Sequence, residues 1–307
     1  MLESRLCLDM ASNPDTGIVR LASVAHPRAN AKQLARELQP ERDGSIDRLA
    51  LALVYVVSML GLVGFVAFGL HPERLAAAPR AVAVYGWMLL WAPRAQIIVA
   101  FGSLALLLTR HTGARWLPAL GAVYLLSLLS ELAGTTVGLP FGPYRYTDGL
   151  GAKWLGHVPV LIPLSWFFMA LPSYAIARWR FPTSIAARVV AGSLVLLSWD
   201  LALDPAMSLV TNYWVWGVDG PYYGMPIINL VGWYVTGLAL MIALGALRAD
   251  RWIARLPLRW LVGFYGANLL LPIGMSAAAG LSGAIAATVA AMLLCWFVAG
   301  RLPAPNE

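Results

Sequence analysis

The chain has 307 residues, 60% of them hydrophobic and 12% charged, and a mean hydropathy of +0.70. A water-soluble protein of this length cannot hide so much apolar surface, so a lipid bilayer is the solvent for most of the chain. The net charge of +7 would suggest nucleic acid as the partner of a soluble protein; here it reads as arginines in cytoplasmic loops, and no nucleic-acid partner is expected.

Residues 1–48 are polar, hold seven Lys and Arg residues and contain no apolar run of signal-peptide length, so they read as a disordered cytoplasmic tail. There is room in them for a short helix near Ala31–Leu38. Cys7 and Cys295 lie at opposite ends of the chain, so neither a disulfide nor a cysteine metal site is expected. Apolar segments of crossing length follow at about 49–70, 81–109, 116–137, 157–177, 185–208, 226–247, 258–277 and 279–300. They predict an all-α, polytopic integral membrane bundle of about eight helices over 49–301, with a C-terminal tail at 302–307. The second segment is broken by "APR" (Ala92–Arg94) and reads either as one kinked span or as an interfacial helix followed by a span. With the N-terminus inside, the inner segments hold seventeen Lys and Arg residues and the outer loops four, leaving Arg94 within a span. That bias predicts cytoplasmic termini at both ends.

A carboxylate deep in a span costs on the order of 2.5–3.5 kcal/mol on insertion scales, so each one is a candidate functional group. Three qualify: Glu131 in "LLSELAG", and Asp200 and Asp204 in "SWDLALDPAM". The i, i+4 spacing puts the two aspartates on one helix face, about 6 Å apart along the axis. Pro205 biases Asp204 away from helical geometry, so the helix is expected to loosen there. In the predicted topology all three acids fall in the outer halves of their spans. Each span then runs into a loop rich in Gly, Pro, Tyr and Trp, which reads as a folded cap. His157 opens the fourth span and Asn229 lies early in the sixth, at the same outer level. Plainer roles exist for these residues. Asp204 could cap its helix or pair with Arg145, and Glu131 and Asp200 could be structural. His157 could be a boundary hydrogen-bonding residue and Asn268 glue between helices. The last span, "GLSGAIAATVAAM", reads as close helix packing.

No zinc-protease, CxxC, phosphate-loop or nucleophile-elbow motif is present in the sequence. What remains is a set of carboxylic acids in an apolar, aromatic setting. Buried carboxyls hold their protons more tightly, and a neighbouring pair can share one proton at neutral pH, giving one acid and one base. Such an acid could protonate an isolated carbon–carbon double bond. Aromatic faces would stabilise the cation by about 0.5–2 kcal/mol each, and water would capture it. The net reaction is hydration, with neither cofactor nor metal expected.

Four motifs carry a family resemblance: "PFGPYRY" (Pro140–Tyr146), "VPVLIPLSW" (Val158–Trp166), "WDLALDPAM" (Trp199–Met207) and "GPYYGMPIINLVGW" (Gly220–Trp233). Together they resemble the carotenoid-biosynthesis membrane proteins of the CruF type, over roughly Ser130–Trp233. The resemblance implies addition of water to the terminal double bond of an acyclic carotenoid end such as that of lycopene or γ-carotene, or of C50 carotenoids in archaeal relatives. It further implies membrane lipid, the carotenoid and other enzymes of the pathway as partners, in a bacterial or archaeal cell (inner) membrane. It leaves the catalytic roles open. Our reading takes Asp200 as proton donor, with Asp204 or Glu131 as its partner and the base for water. Tyr144, Tyr146, Trp166, Trp199 and Tyr223 would shape the cation pocket, Asn229 and His157 would position water or a carboxyl, and Arg145 completes the substrate-binding set.

Two rival readings belong to other classes. The DxxxD spacing of Asp200 and Asp204 is that of a Mg²⁺-dependent membrane prenyltransferase, although a diphosphate calls for a second acidic motif and nearby cations. A proton-coupled transporter or a carotenoid-binding protein would use the acids as a proton relay.

Overall fold

The apolar segments fold as eight long helices in this computed structural model, which describes residues 44–76 and 79–300. They are α1 (Ser45–Gly64), α2 (Pro79–Thr112), α3 (Leu117–Val137), α4 (Ile162–Arg180), α5 (Ile185–Asp204), α6 (Ile227–Ala246), α7 (Leu258–Ala278) and α8 (Ser282–Gly300). The expectations for Ala31–Leu38, for most of the 1–48 tail and for the 302–307 tail lie outside the described residues. Among the described residues, five helical stretches are long and apolar enough to cross a membrane: Ser45–Gly69, Val82–Val137, Ile185–Val210, Ile227–Ala246 and Leu258–Ala278. The second is 56 residues long because a single 3-10 turn, Gly113–Trp116, joins α2 directly to α3. A shorter apolar helix covers Ser282–Cys295.

The helix ends follow local chemistry. Ser184 caps α5 by accepting the Ala187 N–H at 3.2 Å. Gly138 ends α3 in the left-handed region at φ 77°, its N–H returning to Gly134. The "APR" break is neither a loop nor a second helix: α2 runs through Pro93 without interruption. A proline at position 93 cannot donate to the carbonyl of Leu89 one turn earlier. The Tyr213 hydroxyl supplies the missing donor at 3.0 Å. Arg94 does not face lipid unaided. Its guanidinium donates to the carbonyls of Gly149 (3.0 Å) and Asp148 (3.3 Å) and lies over the Trp91 ring.

Helix α5 is the hub of the bundle, packed against α4, α6, α7 and α8, while α1 packs against α2 and α7. The Gly/Ala-rich α8 lies along α5, as close packing requires. At the other end of α5, Arg188 and Arg178 both bind Asp250, at 2.6 and 3.2 Å, tying α4 and α5 to the α6–α7 connection.

Beside the all-α bundle, the folded caps contain short strands. Strand β1 (Tyr144–Tyr146) pairs antiparallel with β4 (Trp214–Trp216), Tyr144 opposite Trp216 and Tyr146 opposite Trp214. A small hairpin, β2 (Lys153–Trp154) and β3 (Val158–Pro159), lies between α3 and α4. The β1–β4 ladder joins the α3–α4 loop to the α5–α6 loop, so the two caps form one structure over the bundle.

Candidate active site

The three intramembrane carboxylates line a single cavity. It encloses about 110 Å³ for water-sized centres, within about 930 Å³ of empty space that includes its open mouth. Glu131 of α3, and Asp200 and Asp204 of α5, are all buried.

Glu131 receives three donors. The Tyr144 and Tyr146 hydroxyls both donate to Oε2, the latter at 2.8 Å, and the Trp166 indole N–H donates to Oε1 at 2.8 Å. The geometry is possible because Gly134, one turn on from Glu131, has no side chain. A Cβ there would come within 2.8 Å of both the Phe141 and the Tyr144 ring. In β1 the side chains alternate, so Tyr144 and Tyr146 face inward together. Burial pushes both phenols well above their usual range, with the Glu131 charge adding to the effect, so both remain protonated donors.

Asp204 has every oxygen occupied. Its Oδ1 accepts the indole N–H groups of Trp214 (3.0 Å) and Trp216 (3.3 Å), and its Oδ2 accepts Asn229 Nδ2 at 2.8 Å. The same Asn229 nitrogen lies 3.2 Å from Asp200 Oδ2, so one amide bridges both aspartates. Asp200 differs. Its Oδ1 is buried and has no hydrogen-bond partner among the described residues. Asp204 keeps helical geometry (φ −61°, ψ −51°), contrary to expectation, and the winding changes only after it, where Pro205–Val210 continues α5 as a π-helix. Pro205 deprives the Leu201 carbonyl of its N–H, and the Tyr222 hydroxyl replaces it at 2.8 Å. The third case is Pro272 in α7. The freed carbonyl of Asn268 accepts the Trp199 indole at 3.2 Å.

Aromatic rings form the remaining wall. Trp166 stacks on Trp233 with centroids 4.0 Å apart, and Trp199 meets Trp233 edge-on at 5.9 Å. Tyr144 packs on Trp216 and Tyr146 on Trp214. Among the described residues no Lys, Arg or His lines this cavity, and no group of three or more His, Cys, Asp or Glu is placed to hold a metal ion.

Of the residues singled out from sequence, Glu131, Asp200, Asp204, Tyr144, Tyr146, Trp166, Trp199 and Asn229 converge on the cavity. Arg145, His157 and Tyr223 do not. Arg145 sits between two inward tyrosines, so strand alternation turns it out to an exposed position, and it makes no pair with Asp204. His157 is exposed just after the tight β2–β3 turn, whose central residues Leu155 and Gly156 both have positive φ. Tyr223 takes φ 54° in the turn from Gly220 to Gly224, which directs it away from the cavity, edge-on to Tyr222. Asn268 is more than glue between helices: it lines the cavity while its amide bonds its own helix at Phe264. Sequence reasoning missed Trp214, Trp216 and Trp233. The alternation in "WVW" was the available signal, since a strand of that pattern puts both indoles on one side.

The carotenoid biosynthesis protein family matches residues 94–295, about two thirds of the chain. A curated relative, the bisanhydrobacterioruberin hydratase of Haloarcula japonica, is 29% identical over 196 residues, which is 62% of this chain and 62% of the relative. The chain thus spans somewhat less than two thirds of that relative's length. No solved structure matches the chain.

Proposed function

We propose that this chain, which belongs to the carotenoid biosynthesis protein family, is a cofactor-independent hydratase that adds water to the terminal C=C of an acyclic carotenoid. The carrying observation is the cavity itself, where three buried carboxylates face an aromatic wall and one carboxyl oxygen, Asp200 Oδ1, has no partner among the described residues. The relative named as a hydratase supports the same chemistry.

In this reading Asp200 gives its proton to the less substituted carbon of the terminal double bond, whose π electrons form the new C–H bond. The neighbouring carbon becomes a tertiary cation. The faces of Trp166, Trp199 and Trp233 stabilise it without forming a bond, at about 0.5–2 kcal/mol each. The oxygen of a water molecule then forms the C–O bond, and its surplus proton passes to the carboxylate of Asp204 or Glu131. Proton exchange with water restores Asp200. One water is added, nothing is oxidised or reduced, and the product is a tertiary alcohol. Asn229, bonded to both aspartates, holds the donor and its partner in register.

We read the eight long helices as eight crossings, and the Lys and Arg bias of the loops supports cytoplasmic termini, the 1–48 segment as an inner tail and the caps at the outer boundary of a bacterial or archaeal cell membrane. Membrane lipid and the carotenoid are then the immediate partners. The prenyltransferase reading loses support because a diphosphate needs cationic partners and the described cavity residues include none. The test is expression in a lycopene-producing host, followed by mass spectrometry for carotenoids heavier by one or two waters. Unchanged lycopene in cells whose membranes contain the folded protein would remove the proposal for that substrate class.

A further inference from the structure

The carboxylate cavity accounts for the reacting end of a substrate but not for the remainder of a long molecule. A second cavity lies beside it, and the two share Pro93, Gln96, Met207, Tyr213 and Leu271. The two cavities therefore adjoin at these residues. The second cavity is bounded by α1, α2, α7 and the π-turn after α5, and holds about 590 Å³ of empty space including its mouth. Phe65, Met88, Ala92 and Met275 give it an apolar surface. Of its polar groups, Tyr213 donates to Leu89 O at 3.0 Å and Thr211 to Ala206 O at 3.0 Å, while Tyr85 and Gln96 add a phenol and an amide to the lining. Leu89 at its edge is 42% exposed, so the chamber reaches the outer surface of the bundle.

Two glycines three residues apart on α1, Gly61 and Gly64, line the chamber and share one helix face. A Cβ on Gly61 would lie 3.4 Å from Leu271 Cδ1, and one on Gly64 would lie 3.4 Å from Met88 Cε. A methyl group fits at that distance; a branched side chain would have to occupy the chamber. We infer that this chamber receives the chain of a long, rigid polyene whose end lies among the carboxylates, and that Gly61 and Gly64 decide which chain lengths are admitted. What happens at the polyene's end rests on the hydratase reading, whereas occupancy of the chamber does not.

The test uses the full chain in nanodiscs, as Gly61→Leu and Gly64→Leu. The control is Gly102→Leu on an exposed face of α2, where nothing lies within 4 Å of a built Cβ. Binding is followed by quenching of tryptophan emission by lycopene, and turnover with lycopene and with a short isoprenoid alkene carrying the same terminal double bond. Both chamber variants should bind the polyene about tenfold or more weakly, as pocket overfilling implies, and keep hydration of the short alkene within about twofold. Parental polyene affinity in variants that melt like the parent would overturn the inference, as would equal loss of both substrates. If a leucine variant fails to fold, Gly61→Val and Gly64→Val decide, with about a threefold or greater loss of polyene affinity expected from a branched side chain and no loss counting against the chamber. Polyene quenching lost in the variants, with no hydration by the parent, would support the chamber and remove the hydratase reading alone.

Discussion

Replacing Asp200 by asparagine removes a transferable proton while preserving shape. Asp200 Oδ2 accepts from Asn229 at 3.2 Å, and Oδ1 has no partner to lose among the described residues. The new amide can turn its oxygen toward Asn229 and its NH₂ to the unpartnered side, so no donor is set against a donor. Stability should therefore stay within about 1 kcal/mol of the parent. A positioned general acid contributes about 10²–10⁴-fold, which is about 3–5 kcal/mol of barrier at 1.36 kcal/mol per decade. Initial rates of lycopene hydration in isolated membranes, with product separated by liquid chromatography and weighed by mass spectrometry, should fall by at least about a hundredfold. A variant that melts like the parent and keeps more than about a tenth of the rate would refute the assignment of Asp200 as the acid.

Asp204→Asn should behave differently, because both of its oxygens already accept and an amide must point NH₂ at one of those donors. Its melting should show a loss of about 1–3 kcal/mol together with a loss of activity, unlike Asp200→Asn. Tyr144→Phe and Tyr146→Phe each delete a donor to Glu131 while keeping the ring. Each should cost about 1.5–3 kcal/mol for a bond to a charged group, and a double-mutant cycle should give a non-additive sum. Arg145→Ala and His157→Ala, both exposed, should hydrate lycopene within about twofold of the parent, as surface substitutions away from a site usually do; a large loss in either would return that residue to the site. Tyr222→Phe leaves the Leu201 carbonyl unpartnered and should lower the melting midpoint by an amount equivalent to about 1–3 kcal/mol, measured in detergent against Tyr223→Phe as a neutral comparison.

Much of the site was legible because burial energetics select for it. Acids so deep in apolar helices are rare enough that Glu131, Asp200 and Asp204 mark the cavity from composition alone, and the i, i+4 spacing puts the aspartates on one face. Helix positions were equally legible, since runs of about twenty apolar residues have few other uses. The register of the caps was not. In a three-residue strand a shift by one position reverses which side chains face in, so Arg145 was placed beside Tyr144 and Tyr146 when it turns outward. The choice between Tyr222 and Tyr223 depends on one positive φ within a glycine-bounded turn, which no periodicity reports. Pairing of β1 with β4 joins residues about seventy positions apart, and only that pairing brings Trp214 and Trp216 to Asp204.

At Pro93, Pro205 and Pro272 the prolines and aromatics solve one problem between them. A carboxylate in a bilayer needs donors, and so does a helix carbonyl left bare by a proline. Pro93, Pro205 and Pro272 free the carbonyls of Leu89, Leu201 and Asn268, and the replacements are Tyr213, Tyr222 and Trp199. Five of the six side chains that donate to the carboxylate oxygens of Glu131 and Asp204 are also Tyr or Trp. An indole or phenol donates in the plane of its ring and leaves the π face free. In the hydratase reading the indoles that hold the acids can therefore also turn a ring face to the cation, and an indole N–H offers it no lone pair to capture. Serine or threonine in the same positions would donate as well, but would offer a hydroxyl oxygen. That difference favours Trp214 and Trp216 over hydroxyl side chains at Asp204.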